Sequence, residues 1–270
     1  MLMKLVKHEF RATGRVMGLL FLVLLAAAAG ANFSIQVLSV SGLTLLRVLG
    51  ALVMVAYIVA VMGVCFVCFF LMLQRFYRNL LGDEGYVMFT LPVSVHQHVW
   101  SKLIVTSVWY LATGAVVMLS FLILGYRAGL VGDIVRGLGQ MFRELTAYYA
   151  LNGTAIVLEL LILVFLACVA FALQFYASMA VGYSFSAHKI AWSVVFFFVF
   201  QFASQLAGTL LIVLLDEGPL HHFLLGLNIQ LSGMAGIHAG IGLMAAVLAV
   251  YGALFYAVTV YFLKNRLNLE

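Results

Sequence analysis

The chain has 270 residues, of which 66% are hydrophobic and only 9% charged, and its formal net charge is +5. A soluble domain carries roughly a quarter of its residues as charges, so a mean hydropathy of +1.19 excludes an ordinary water-soluble protein and requires apolar surface facing lipid. The basic balance does not indicate nucleic acid, because Lys and Arg sit at the edges of apolar runs and not on one patch, as orientation signals do.

There are only two prolines, and the long Leu, Val, Ala and Phe runs favour helices over a β-barrel, whose strands alternate over about ten residues. At the front, Lys4, Lys7, His8, Arg11 and Arg15 recur every three to four positions, while Leu2, Leu5, Val6 and Phe10 fall largely on the other side. This predicts a short amphipathic helix over 1–15 at the cytoplasmic interface, its cations near anionic head groups. A positively charged flank of the first span is the simpler reading of the same residues. Charges continue to Arg15 with no convincing small-residue cleavage site after the first apolar run, so a cleavable signal peptide is not expected.

Six apolar runs follow, at about 16–40, 48–73, 99–126, 147–181, 190–215 and 241–263. Each supplies the roughly 20 helical residues that cross about 30 Å of hydrocarbon. The fourth is longer than one crossing needs, which predicts tilt, projection, or a separate outer turn near 147–152. With both ends inside, ten cations are cytoplasmic: Lys4, Lys7, Arg11, Arg15, Arg75, Arg78, Lys102, Lys189, Lys264 and Arg266. Four are outer: Arg47, Arg127, Arg136 and Arg143. That asymmetry supports the orientation, and an odd number of spans would part the two basic ends.

The loop at 74–98 is then cytoplasmic. Gly82 and Gly85 bracket Asp83 and Glu84 and favour a turn. Tyr86 to Leu91 is an apolar, aromatic stretch in a loop that should face water. Pro92 disfavours helix at Leu91, and Ser94 with Gln97 forms a capping box opening the third span. An apolar segment in that position needs a cover, either the membrane interface or a partner protein.

Within the spans, Cys65 and Cys68 form a C-x-x-C, a redox or metal spacing, but Cys in an apolar helix commonly serves as a small hydrophobe. Glu159 is the only acid deep in an apolar run, where an ionised group costs roughly 2.5 kcal/mol or more. It is a candidate proton carrier, substrate contact, or partner of an outer cation such as Arg143 or Arg127. Gln201 and Gln205, at i and i+4 beside Ser204, either line a polar pathway or hydrogen-bond between helices. Asn32 and Gln36 carry the same two readings. His221, His222 and His238 suggest an outer metal site or simply loop residues. His96 and His98 open the third span on different faces and are expected at the cytoplasmic surface or against a partner. Gly236 and Gly240 form a G-x-x-x-G that permits close helix packing. There is no G-x-x-x-x-G-K-S/T, G-x-S-x-G, H-E-x-x-H or EF-hand loop, so the chain lacks that route to holding nucleotide phosphates or to hydrolysis.

The K-x-x-K-H-E-F-R-A-T-G-R segment at 4–15, the span that follows, and E-G-Y-V-M-F-T-L-P-V-S at 84–94 together resemble bacterial ABC transporter permeases of the ABC-2 type. The six-span pattern covers essentially the whole chain. The resemblance implies an all-α ABC-2-type fold with an elbow helix carrying Lys4, Lys7, Arg11 and Arg15. It implies a coupling element holding Asp83, Glu84, Tyr86, Phe89, Leu91 and Pro92, and short re-entrant helices or an outer loop over 216–240. It further implies a permease subunit in the bacterial inner membrane that exports a hydrophobic or amphipathic substrate (a peptide, lipid or drug-like molecule), with Glu159, Gln201 and Gln205 as candidate pathway residues. Its partners would be a separate ATPase subunit, which binds ATP and Mg, and a second permease chain; this chain would bind no cofactor and no metal. The other readings are a non-transporting immunity or sensor protein and an intramembrane hydrolase using Glu159.

Overall fold

The computed structural model describes residues 2–38, 43–82, 84–90, 92–126, 130–148, 152–216 and 233–266. Among them there is no strand. The helices are α1 (Leu2–Phe33), α2 (Thr44–Phe76), α3 (Glu84–Thr90), α4 (Val95–Gly125), α5 (Leu130–Tyr148), α6 (Gly153–Gly182), α7 (Lys189–Asp216) and α8 (Gly233–Asn265). Two π-helical turns, Ser34–Leu38 and Tyr77–Leu81, extend α1 and α2. Six of these helices (α1, α2, α4, α6, α7 and α8) are long and apolar enough to cross a bilayer. Their outward residues are large and bare, as in α7, where Phe198, Phe202 and Leu206 are all exposed. Such a surface aggregates in water and is required in lipid. The chain is a multi-pass α-helical membrane protein.

Several boundaries sharpen or differ from the sequence-based expectation. The segment expected as a separate interfacial helix over 1–15 is continuous with the first span, as one 32-residue helix. At 1.5 Å per residue it is about 48 Å long, so roughly three turns project beyond the hydrocarbon. Nothing in the sequence breaks it, and its buried residues Val6, Glu9, Thr13 and Met17 keep one helical stripe across the expected boundary. Of the readings of the long fourth run, a break near 147–152 is the one the helices show: residues 147 and 148 belong to α5, and α6 starts afresh, with the Asn152 side chain accepting from the Thr154 amide at 3.1 Å. Helix α5 occupies a stretch expected to be an outer loop. Of the 216–240 segment, residues 217–232 lie outside the described residues, and α8 begins at Gly233, eight residues before the expected 241.

The chain divides into two compact units, Met1–Arg75 with Trp100–Glu144, and Phe76–Val99 with Leu145–Glu270. In the first, α1, α2 and α4 pack through Leu24, Ala28, Ala31, Tyr57 and Val64, and through Met17, Cys68 and Met72. Several polar groups inside are paired between helices, as burial in a low dielectric favours. Tyr57 and Ser120 hydroxyls lie 2.9 Å apart, Thr13 accepts from the Trp109 indole at 2.9 Å, and Asn32 donates to the Ile123 and Leu124 carbonyls. Gln36 in turn donates to Asn32, so this pair hydrogen-bonds between and along helices. Cys68 is buried and accepts from Thr113 at 3.2 Å, whereas Cys65 is exposed, and both are free thiols.

In the second unit α6 packs against α7 and α8. The approach to α7 is close at Gly182, where an added Cβ would lie 2.1 Å from Ser193 Oγ and 2.4 Å from its backbone nitrogen. Only glycine fits there. The turn that follows places His188 at φ 53° before α7 begins, a left-handed conformation that a non-glycine residue adopts at some cost. The space beside Gly240 is open instead, so the G-x-x-x-G at 236–240 does not mark a close helix approach at that glycine.

Candidate functional site

The connection from α2 to α4 has an anchored half and a presented half. Phe76 stacks on Tyr176 of α6 at 3.9 Å with rings nearly parallel, and neither is exposed. Tyr77 meets Tyr183 at 5.5 Å, while Asn79, Leu80 and Leu81 of the π turn are buried. Burial and the neighbouring Tyr77 push the Tyr183 phenol well above its ordinary value, and Lys189 sits 5.9 Å over its ring. The turn closes when Gly82 donates its amide to the Tyr77 carbonyl at 2.9 Å.

Beyond Gly82 the chain forms α3, a two-turn helix. Glu84 pairs with Arg78 at 2.9 Å, tying the helix start to the anchored turn. Tyr86 and Val87 are 53% and 66% exposed, so an apolar surface faces outward. Phe89 lies on α3, and Pro92 is exposed just after it. Asp83 and Leu91, also expected here, lie outside the described residues. Ser94 Oγ then accepts from the Gln97 amide at 3.4 Å, opening α4 as expected. His96 meets the Tyr256 hydroxyl at 2.7 Å, but His98 is buried, contrary to its expected surface position. Position 98 falls on the packed side of α4 together with Val99, Ser101 and Lys102.

At the N-terminal end of α1, Lys4, Lys7, Arg11 and Arg15 form an exposed stripe. The opposite face carries Glu9, whose carboxylate bonds the Lys102 ammonium and lies 3.3 Å from Arg75. Glu9 and Lys102 are each only 4% exposed. The sequence reading passed over Glu9, although the signal was present: it is the one acid in a basic segment, in register with Val6 and Thr13 and not with the cations.

Glu159 lies near the start of α6, and Arg127, one of its expected partners, lies outside the described residues. Glu159 meets His238 of α8, whose Nδ1 lies 2.7 and 2.8 Å from the two carboxylate oxygens. Both residues sit about six positions inside helices that begin on one membrane face, so they share a depth of roughly 8–9 Å below the helix ends. Removing a carboxylate from water there is made tolerable by the imidazole partner. Gln201 accepts from Gln174 at 2.9 Å, and Ser204 donates to the Tyr251 hydroxyl at 3.1 Å, so these α7 groups bond across helices. Gln205 is exposed, one turn on. The three pathway candidates are thus not one cluster. His221 and His222 lie outside the described residues, and among those described no three His, Cys, Asp or Glu converge on a metal position. Neither a family model, nor a curated protein, nor a solved structure matches the chain.

Proposed function

We propose that the chain is the permease subunit of an ATP-driven ABC exporter of the ABC-2 type, moved by a separate ATPase subunit that docks on the α2–α4 connection. The observation that carries this reading is α3: a short helix with Tyr86 and Val87 bare, bracketed by Gly82 and Pro92 and backed by a turn buried against α6. That is how a moving partner would be coupled to a membrane helix, with a yielding contact surface on a rigid mount. The charge asymmetry supports an orientation with this connection and both termini inside, and the resemblance would put the chain in a bacterial inner membrane. ATP and Mg would bind the ATPase chain, whose closure would push α3 and shift the spans between two states. A second permease chain, the same or a paralogue, would complete the pathway for a hydrophobic or amphipathic substrate. Lys4, Lys7, Arg11 and Arg15 would hold the projecting start of α1 near anionic head groups. Glu159, Gln201 and Gln205 are the candidate pathway residues.

Co-purification tests the reading. The native complex, solubilised in mild detergent, is expected to contain an ATPase chain in stoichiometric amount. If it contains none, and the chain moves substrate without one, the permease reading is wrong. The intramembrane hydrolase gains one observation, because Glu159 and a histidine do meet at one depth. Substrate turnover by the purified chain in detergent, abolished in Glu159→Gln, would favour that reading instead.

A further inference from the structure

Between the end of α4 and the start of α6 lies a helix too charged to cross a bilayer and too apolar on one side to stand in water. Helix α5 holds Asp133, Arg136, Arg143 and Glu144 within 19 residues. Placing such charges at bilayer depth costs about 2.5–3.5 kcal/mol each on insertion scales, so α5 does not span. Its sequence is nonetheless fully segregated: all four charges and Gln140 share one side at helical spacing, and Val135, Leu138, Met141 and Phe142 share the other. Val135, Leu138 and Met141 are 56%, 56% and 54% exposed, so none of the described residues covers these three side chains.

Chain length fixes how the helix lies. Residues 126–129 and 149–152, four at each end, tie it to the spans. Four residues reach at most about 14 Å, whereas 19 helical residues are about 28 Å long. Standing upright, α5 would carry one end further from the membrane than its tether allows. It therefore lies along the surface. Both tethers start at the bilayer boundary: Tyr126 ends α4 as an exposed ring of the kind that belts interfaces, and polar Asn152 caps α6.

We infer that α5 is an in-plane membrane-surface helix on the face opposite the N-terminus, its Val135–Leu138–Met141 stripe inserted among the acyl chains of the adjacent leaflet. The charged side stays in water. Arg136 pairs with Asp133 at 2.8 Å, and Arg143 is balanced by Glu144, so the helix has no net charge. Its insertion is driven by apolar area and does not call for anionic lipid.

The test uses the whole chain in phosphatidylcholine vesicles, with Cys65, Cys68 and Cys168 changed to Ala. Spin labels go singly on Val135→Cys, Leu138→Cys and Met141→Cys, and on Gly137→Cys, Gln140→Cys and Arg143→Cys. The first three are expected to collide several-fold more with oxygen, which concentrates in lipid, than with a water-soluble nickel chelate. The second three should show the reverse, and adding phosphatidylserine should change neither set. Shielding of the stripe from both reagents would overturn the inference in favour of a protein cover, such as a second copy. Collision of the stripe with the nickel chelate, or oxygen access that needs phosphatidylserine, would also overturn it. Six independent positions keep the result readable if one variant fails to insert.

Discussion

Glu9 and Glu159 each pair with a side chain of another spanning helix, and they are opposites in burial. Glu9 and Lys102 have side chains 6% and 4% exposed, with Arg75 completing the cluster. Glu159 and His238 are 32% and 26% exposed. In the first case neither ion can regain water if its partner goes, and the Lys102 ammonium is held by the Glu9 carboxylate. In the second, the pair is only part-buried, and a neutral imidazole can still donate to a carboxylate. The difference separates a fastening from a site. Glu9 joins α1, α2 and α4, while Glu159 keeps a polar, partly accessible spot between α6 and α8.

The largest expected effect breaks the fastening. Glu9→Gln leaves the Lys102 charge buried without its carboxylate and is expected to cost about 3–5 kcal/mol, read as a fall in thermal stability in detergent or as loss of folded protein. The double variant Glu9→Leu with Lys102→Met should recover most of that loss, because the penalty comes from the orphaned charge and not from the missing bond. If the single variant melts within 1 kcal/mol of the parent, Glu9 is not the fastening described.

The second effect bears on how the unit containing Glu159 is held together without such a cluster. There α6 meets α7 at Gly182, with backbone against backbone. Gly182→Ala drives a methyl group into Ser193 and is expected to destabilise by about 1–3 kcal/mol or more. Gly208→Ala, with nothing within 4 Å of the added carbon, is expected to stay within about 0.5 kcal/mol. Equal melts for the two variants would mean that the close approach does not bear on stability.

Third comes the accessible pair itself. Glu159→Gln is expected to shift stability by less than about 1 kcal/mol, as partly exposed pairs do, because an amide oxygen still accepts from His238. A loss as large as that of Glu9→Gln, in the same detergent and assay, would make the two pairs equivalent and remove the case for Glu159 as a pathway residue.

Legibility in the sequence ran almost opposite to burial. Glu159 stands out because an acid in a run of Leu, Ile and Val has no innocent place, whereas Glu9 hides among cations that share its helix. Its partners Arg75 and Lys102 lie far along the chain, and only the folded arrangement brings them to it. Apolar length alone located the six spans, since crossing hydrocarbon demands it of any sequence. Helix α5 went unread because its charges, taken singly, look like loop residues; only their segregation by helical angle shows the second face. For Glu159 the sequence leaves open a proton carrier, a substrate contact or the partner of an outer cation, and His238, which it meets, sits beyond a long stretch whose length gives no register between α6 and α8. The α3 segment was legible as an exposed apolar patch between glycines and a capped helix. The stacking of Phe76 on Tyr176 that mounts it was not, because an aromatic before a span end has no pattern that names its partner.

The smallest expected effect on stability is at α3, and there it carries the most functional weight. Tyr86→Ala and Val87→Asp change surface positions and are expected to leave the melt within about 0.5 kcal/mol of the parent. Neither residue belongs to the buried turn that mounts the helix. The same variants are expected to lose most of the co-purifying ATPase chain, since exposed aromatic and aliphatic anchors supply much of the energy of a docking surface. Phe76→Ala is the contrasting change: it empties the stack against Tyr176 and should cost about 3–5 kcal/mol. Retention of the ATPase by both surface variants would mean that the exposed face of α3 is covered by something other than that partner, and the anchored turn would then be a structural end to α2 alone.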